Sequence, residues 1–163
     1  MAIKISWPRI LAVAILYAIV GEIVMTLGAF LDMSYYFDPA YFGVWSKIMM
    51  PAAGPPPLEF YYFGIAFQLV AGFLFAFVYS VVKRSVNLGV HSTLNLRAGK
   101  EWHKGWYNMG LMYGFLIFLV AGIPTTMTLY LLINLPVGLL LSWMLQNLVV
   151  YLIMGLVAAK LVK

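Results

Sequence analysis

Long apolar stretches separated by short polar segments dominate the pattern of this chain. Four stretches are long enough to cross a bilayer as helices, which takes about 20 residues at a rise of 1.5 Å each. They cover residues 10–31, 61–82, 106–132 and 137–161. Between them lie an outer loop at 32–60, a second loop at 83–105 and a short turn at Pro136. The pattern predicts an all-α integral membrane four-helix bundle, forming a single transmembrane domain over residues 1–163.

Composition supports the same class. Hydrophobic residues make up 64% of the 163 residues and charged residues 9%, and the mean hydropathy is +0.97. A soluble domain carries about 25% charged residues, so the polar surface that water requires is missing here. The chain has no cysteine, which excludes disulfides, thiolate metal sites and cysteine nucleophiles.

Basic residues predict the orientation in the cell membrane. Nine of the ten flank the two ends of the chain and the second loop, namely Lys4, Arg9, Lys83, Arg84, Arg97, Lys100, Lys104, Lys160 and Lys163. Only Lys47 lies in the outer loop. Because basic residues accumulate in cytoplasmic segments, both termini and the second loop are expected in the cytoplasm. The first stretch is longer than the core of a signal peptide, about 7–15 residues, and is expected to stay as a span.

The outer loop carries signs of a short helix lying along the membrane surface. Asp38 followed by Pro39 is a good helix start. Beyond it, Phe42, Trp45 and Met49 recur at helical spacing on one face. The sequence predicts an interfacial helix over about residues 39–50 that caps the bundle, with a ligand-entry gate as the alternative.

The second loop is polar and basic. Its charges could attract anionic lipids, although a topology signal explains them equally well. Nucleic-acid binding is not expected, because the charge is modest and follows a loop close to the membrane. Both histidines, His91 and His103, lie in this loop, so no intramembrane histidine pair is available for haem or copper. We expect no catalytic group, no metal and no cofactor.

Polar side chains on three spans are expected at one depth. Counting 1.5 Å per residue from the cytoplasmic ends places Glu22, Gln68 and Gln146 about 20 Å into the membrane. Asn147 follows Gln146 and points about 100° away around the helix. In lipid such groups seek partners inside the protein, so we expect Glu22 to hydrogen bond to Gln68, Gln146 or water.

Pro124 interrupts the third span. Proline removes a backbone donor and clashes with the carbonyl four residues back, here that of Val120, so a kink is expected. The neighbouring hydroxyls of Thr125 and Thr126 are candidates to face the interior beside the polar layer. Broken helices often mark binding sites in transporters, and they also occur for structural reasons alone.

Small residues indicate close helix packing. Gly110 and Gly114 are four residues apart on the third span. Such spacing lets helix backbones approach closely, either within the bundle or between subunits. The sequence leaves both arrangements open.

Glu22 has two interpretations. An acid alone in mid-membrane is costly and is a candidate functional group. It could exchange a proton during transport, or it could link helices through hydrogen bonds.

The stretch from Ala18 to Ile23 (AIVGEI) resembles the first helix of small multidrug resistance transporters, four-span proteins with an essential membrane glutamate. The resemblance covers six of the 163 residues. The outer loop here is longer than in that family, and the later spans lack its aromatic and glycine pattern. The resemblance implies proton-coupled transport as an alternative function.

The expected function is that of a non-enzymatic membrane protein, an accessory or assembly subunit or a homo-oligomeric bundle. Its partners would be the bilayer and other copies or a larger membrane complex. The alternatives are a proton-coupled transporter of small molecules that uses Glu22, and a lipid-binding membrane protein.

Overall fold

The structure is a computed structural model that describes residues 6–46, 49, 56–94 and 105–162, without the side chains of 84–94. Within these residues every regular element is a helix. The elements are α1 (Trp7–Leu31), α2 (Met33–Tyr36), a 3-10 helix (Pro39–Tyr41), α3 (Leu58–Leu94), α4 (Trp106–Ile117), a π-helix (Phe118–Gly122), α5 (Ile123–Leu132) and α6 (Val137–Leu161).

Four of these helical segments are long and apolar enough to cross a membrane, as the sequence predicts. They are Trp7–Leu31, Leu58–Lys83, Trp106–Leu132 and Val137–Leu161. The second helix continues beyond the predicted boundary at residue 82 and ends at Leu94. Residues 83–94 contain no proline that would stop the helix. The first part of the predicted second loop is therefore helical. Four basic residues of the second loop that could attract anionic lipids lie outside the described side chains, as do both histidines: Arg84, Arg97, Lys100, Lys104, His91 and His103.

The core at one end of the molecule is built by all four helices. α1 packs against α3 and α6, and α4 packs against α6 and less extensively against α3. Twelve buried residues form one cluster there: Ile10, Val13, Tyr17, Phe75, Ala76, Tyr79, Tyr113, Val150, Met154, Ala158, Ala159 and Val162. The hydroxyl of Tyr113 donates to the backbone carbonyl of Phe75 at 2.6 Å, joining α4 to α3 inside this cluster.

Glycines bring α4 and α6 into backbone contact. A Cβ on Gly110 would stand 2.6 Å from the carbonyl oxygen of Gly155. Gly114 lies against the backbone of Tyr151 and Leu152 one turn further along. The close approach indicated by Gly110 and Gly114 is therefore made within the chain. Gly155 completes it from the other helix.

The opposite end of the molecule is less tightly packed. Among the described side chains of α3, the buried ones start at Gly72, so the first half of that helix contributes none. α5 has no buried residue. A smaller cluster of Leu135, Leu139 and Leu140 lies where α6 begins, with side chains of α2 and the outer loop packed on it.

The third span contains a π-helix where the sequence predicts an interruption. The N–H of Ile123 donates to the carbonyl of Phe118, five residues back. Pro124 follows at once and supplies no N–H, so the wider turn accommodates a ring that an α-helical register would place against Val120. The interruption thus precedes Pro124 and is a π turn. Whether the helix axis bends there stays a prediction.

The outer loop differs from its prediction. Asp38 does cap a helix, since its Oδ1 accepts from the N–H of Ala40 at 2.9 Å, but that 3-10 helix is only three residues long. Residues 42–46 form turns and a bend. The continuous helix predicted over residues 39–50 is therefore wrong in this part, and the side chain of Phe42 contacts little of the described protein. Its place in the membrane surface stays a prediction. The packing of the Trp45 ring on Tyr36 and Trp143 favours this turn over a continuous helix.

Candidate functional site

The polar side chains predicted in one layer are seated over glycines of neighbouring helices. The carboxamide of Gln68 on α3 lies over Gly21 on α1, with its Oε1 2.7 Å from where a Cβ would stand. The carboxamide of Gln146 on α6 fills the same space at Gly28. The missing side chains of glycine thus provide the room that these amides occupy.

Gln68 and Gln146 do not share a depth on α1. Their glycines, Gly21 and Gly28, are seven residues apart, which is about 10 Å along a helix. The single layer predicted from residue counting is therefore corrected to two levels. Counting assumed that all helices start at one depth, whereas side-chain contacts set how α3 and α6 are placed beside α1.

Glu22 is half-buried and lies beside Gly64 of α3. Its Oε1 is 3.4 Å from the position of a Cβ there, an ordinary van der Waals distance. Within the described part of the chain, the carboxyl group of Glu22 has no hydrogen bond. The expected bonds to Gln68 or Gln146 are not formed, because the amide of Gln146 has a different acceptor.

That acceptor is Asp32, the first residue of the predicted outer loop. Asp32 follows the last residue of α1 and is only 3% exposed. Its Oδ2 accepts from the hydroxyl of Ser142 at 2.9 Å and from Nε2 of Gln146 at 3.0 Å. Nε2 of Gln146 also lies 3.0 Å from the Ser142 hydroxyl oxygen. These three side chains form a closed polar link between α1 and α6.

A local signal for this link exists in the sequence. Ser142 and Gln146 are four residues apart, so both lie on one face of α6. Asp32 is the first polar side chain after the long apolar run of α1. Only the packing of α1 against α6 in the folded chain shows that these groups meet.

Aromatic side chains cover the outer side of the polar link. Trp143 donates from Nε1 to the hydroxyl of Tyr36 at 3.0 Å. The ring of Trp45 packs between them, with its centre 5.3 Å from that of Tyr36 and 6.4 Å from that of Trp143. Burial raises the pKa of Tyr36, the hydrogen bond from Trp143 opposes this, and the charge of Asp32 adds to the rise. Tyr36 therefore stays a neutral phenol at ordinary pH.

The threonine side chains of the third span either hydrogen bond to their own helix or are exposed. The hydroxyl of Thr126 donates to the carbonyl of Gly122 at 2.9 Å, and that of Thr128 donates to the carbonyl of Pro124 at 2.8 Å. Thr125 is exposed.

On α6, Asn147 follows Gln146. Its side chain is half-buried and forms no hydrogen bond to another described residue. The structure therefore brings Asp32, Ser142 and Gln146 together, and it leaves Thr125 and Asn147 outside that link.

The chemistry of this arrangement is that of hydrogen-bonded helix contacts. Among the described residues, no group of three histidine or acidic side chains could hold a metal ion. The polar link consists of one carboxyl, one hydroxyl and one amide, which are suited to holding α1 against α6.

No protein-family model, curated protein or solved structure matches this chain. The function proposed below rests on the geometry of the chain's own residues.

Proposed function

We propose that this chain is a non-enzymatic subunit of a membrane assembly, crossing the bilayer four times with both termini in the cytoplasm. One observation carries the proposal. Glu22 is half-buried near the middle of α1 and has no hydrogen-bonding partner within the described residues.

The depth of Glu22 makes a missing partner costly. It lies 15 residues after Trp7, about 22 Å along a 25-residue helix. A lone acid near the centre of a bilayer costs a few kcal/mol on insertion scales, and such groups normally face protein or water. The amide of Gln146 is bonded to Asp32, and the amide of Gln68 lies over Gly21 without a hydrogen bond to Glu22. A partner for Glu22 from outside the chain would remove this cost.

The transport alternative has less support from the geometry. A proton-carrying acid and the polar lining of its path should face the same side. The carboxyl group of Glu22 lies against Gly64, one turn from Gln68 on α3, yet it makes no hydrogen bond to that amide or to any other described polar group. The lipid-binding alternative needs space beneath the outer loop. Rings of Tyr36, Trp45 and Trp143 pack on one another there.

The cytoplasmic orientation rests on the distribution of basic residues. Lys160, near the end of α6, lies with its Nζ 5.6 Å from the centre of the Trp106 ring at the start of α4. A basic group and an interfacial aromatic thus meet at the end assigned to the cytoplasm. Because the chain has no cysteine, Ser34→Cys and Lys163→Cys each provide a single labelling site. A membrane-impermeant maleimide added to intact cells should label Ser34→Cys and leave Lys163→Cys unlabelled. The opposite pattern would overturn the orientation.

The assembly itself is tested by mass in a mild detergent. The protein solubilised from membranes should have a protein mass above the 18.3 kDa of one chain. Glu22→Leu removes the polar group and should lower the mass to that of one chain. Glu22→Gln keeps a hydrogen-bonding side chain and should retain most of the assembly.

Glu59→Leu is the matched control, since Glu59 is an exposed acid in the first turn of α3. It should leave the mass unchanged. A wild-type protein of single-chain mass, or an assembly that Glu22→Leu does not reduce, would contradict the proposal.

A further inference from the structure

The carboxyl group of Asp32 uses only one of its two oxygens in the link to α6. Oδ2 accepts both hydrogen bonds, from Ser142 and from Gln146, whereas Oδ1 accepts none from a described residue. In the described part of the chain, Nε1 of Trp45 is the only fully enclosed side-chain polar atom that lacks a hydrogen bond. Oδ1 of Asp32 is therefore not fully enclosed, although the residue as a whole is 97% buried, and a small ligand can reach this oxygen.

No basic side chain within the described residues lies near enough to balance the charge of Asp32. Arg9 precedes it by 23 residues on α1, about 34 Å along the helix. Lys160 lies in the last turn of α6, whereas Asp32 contacts the first turns of that helix. Lys83 follows the part of α3 that packs beside the start of α1. Proteins normally pair a buried carboxylate with a cation, because an isolated buried charge is costly.

The carboxyl end of α1 adds to the negative potential at this point. Asp32 is the C-cap of α1, and the last turn of that helix contains no basic residue. The carbonyls of Ala29, Phe30 and Leu31 accept no backbone N–H from the described residues that follow the helix. Such carbonyls carry partial negative charge, which favours a cation at a helix C-terminus. In membrane transporters, the C-terminal ends of broken helices coordinate Na⁺.

We propose that Oδ1 of Asp32 and the carboxyl end of α1 bind one monovalent alkali cation. One positive charge neutralises the single carboxylate. Ca²⁺ would leave an excess charge, and it takes about six to eight oxygen ligands that commonly include several carboxylates. The same carboxylate would then hold the ion through Oδ1 and α6 through Oδ2. The proposal depends neither on Glu22 nor on assembly with a partner.

The dependence of thermal stability on the cation tests the site in the wild-type protein. The purified protein is unfolded in NaCl, in KCl and in N-methyl-D-glucamine chloride at equal ionic strength. Na⁺ or K⁺ should raise the Tm by about 3 °C or more over the bulky cation, and the rise should saturate with concentration. Comparison of the two salts identifies which ion the site prefers. A Tm that is equal in all three chlorides would overturn the proposal.

Matched variants locate the effect. Asp32→Asn keeps an acceptor for α6 but removes the charge, and it should abolish the cation-dependent rise in Tm. Glu59→Gln changes an exposed acid in the first turn of α3 and should retain the whole rise. An equal rise in Asp32→Asn would mean that the cations act elsewhere on the protein, and it would overturn the site.

Two further measurements keep the test decisive if Asp32→Asn fails to fold. Equilibrium binding of radioactive sodium or rubidium to the wild type should saturate near one ion per chain, and the absence of saturable binding would overturn the site. Lys47, the basic residue of the outer loop, lies outside the described residues. Lys47→Met should retain the rise in Tm. A rise that appears only in Lys47→Met would identify this lysine as the charge that balances Asp32 and would overturn the cation.

Discussion

The carboxamide of Gln146 occupies the space that a side chain on Gly28 would fill, and from there its Nε2 reaches Oδ2 of Asp32 at 3.0 Å. The hydrogen bond from Gln146 on α6 therefore requires that residue 28 on α1 have no side chain. The same relation holds between Gln68 and Gly21, although there the amide has no hydrogen bond within the described residues.

Gly28→Ala should destabilise the protein through this relation. The added methyl group displaces the amide of Gln146 and breaks its bond to a charged acceptor, which we expect to lower the free energy of unfolding by about 1–2 kcal/mol. Unfolding in detergent measures the loss. Gly43→Ala is the control, since no heavy atom lies within 4 Å of its added Cβ, and it should be neutral. In a Gln146→Ala background the cost of Gly28→Ala should largely vanish, and a cost that stays the same would refute the mechanism.

Asp32→Leu should lower the free energy of unfolding more than Asp32→Asn does. Leucine leaves the hydroxyl of Ser142 and the amide of Gln146 without their acceptor, and we expect a loss of about 2–3 kcal/mol. Asparagine retains an acceptor oxygen, so the Asp32→Asn variant should lose about half as much free energy of unfolding. Asp38→Leu removes a half-buried acid that caps three residues and should cost at most about 1 kcal/mol. Equal stability of the three variants would mean that the link to α6 contributes nothing.

Tyr113→Phe should remove the bond from its hydroxyl to the carbonyl of Phe75 while keeping the ring in place. We expect a loss of about 1 kcal/mol in the free energy of unfolding, typical of one neutral hydrogen bond. Tyr130→Phe provides the comparison, because Tyr130 is 60% exposed, and it should change stability little. Thermal unfolding of both variants beside the wild type distinguishes the bond from a general effect of removing a hydroxyl.

Gly110→Ala should be poorly tolerated. The new methyl group would meet the backbone of Gly155, which cannot rotate away as a side chain can, and overpacking of this kind costs about 1–3 kcal/mol. Gly64→Ala is the matched change on another helix pair, where the nearest atom is Oε1 of Glu22 at an ordinary 3.4 Å. Stability of Gly110→Ala at or above that of Gly64→Ala would show that α4 and α6 can separate without penalty.

The four long helices could be predicted from the sequence because the length and polarity of each stretch are local properties. The tight turn at Pro136 could be predicted for the same reason. α5 and α6 pack against each other, as that turn requires. The turns at residues 42–46 were not predictable, because they depend on Trp45 contacting Tyr36 and Trp143. The last of these is about 100 positions away along the chain.

The candidate site was predicted less completely. The sequence indicates that Gln146 needs a polar partner, but it points to Glu22, whereas the partner in the structure is Asp32. Depth counting along separate helices cannot show how the helices are shifted against each other. Asp32 resembles an ordinary loop acid until the packing of α1 against α6 brings it to Ser142.

The π-helix at Phe118–Gly122 makes this span sensitive to where a residue is lost. A π turn holds one residue more than an α turn covering the same rise. Deleting one residue there would leave a regular α turn, so Leu129 of α5 would keep its place on the cluster at the start of α6. The same deletion elsewhere in α4 or α5 would rotate everything beyond it by about 100°. What the wide turn provides is room for the ring of Pro124, and its loss would press that ring against a carbonyl of the preceding turn.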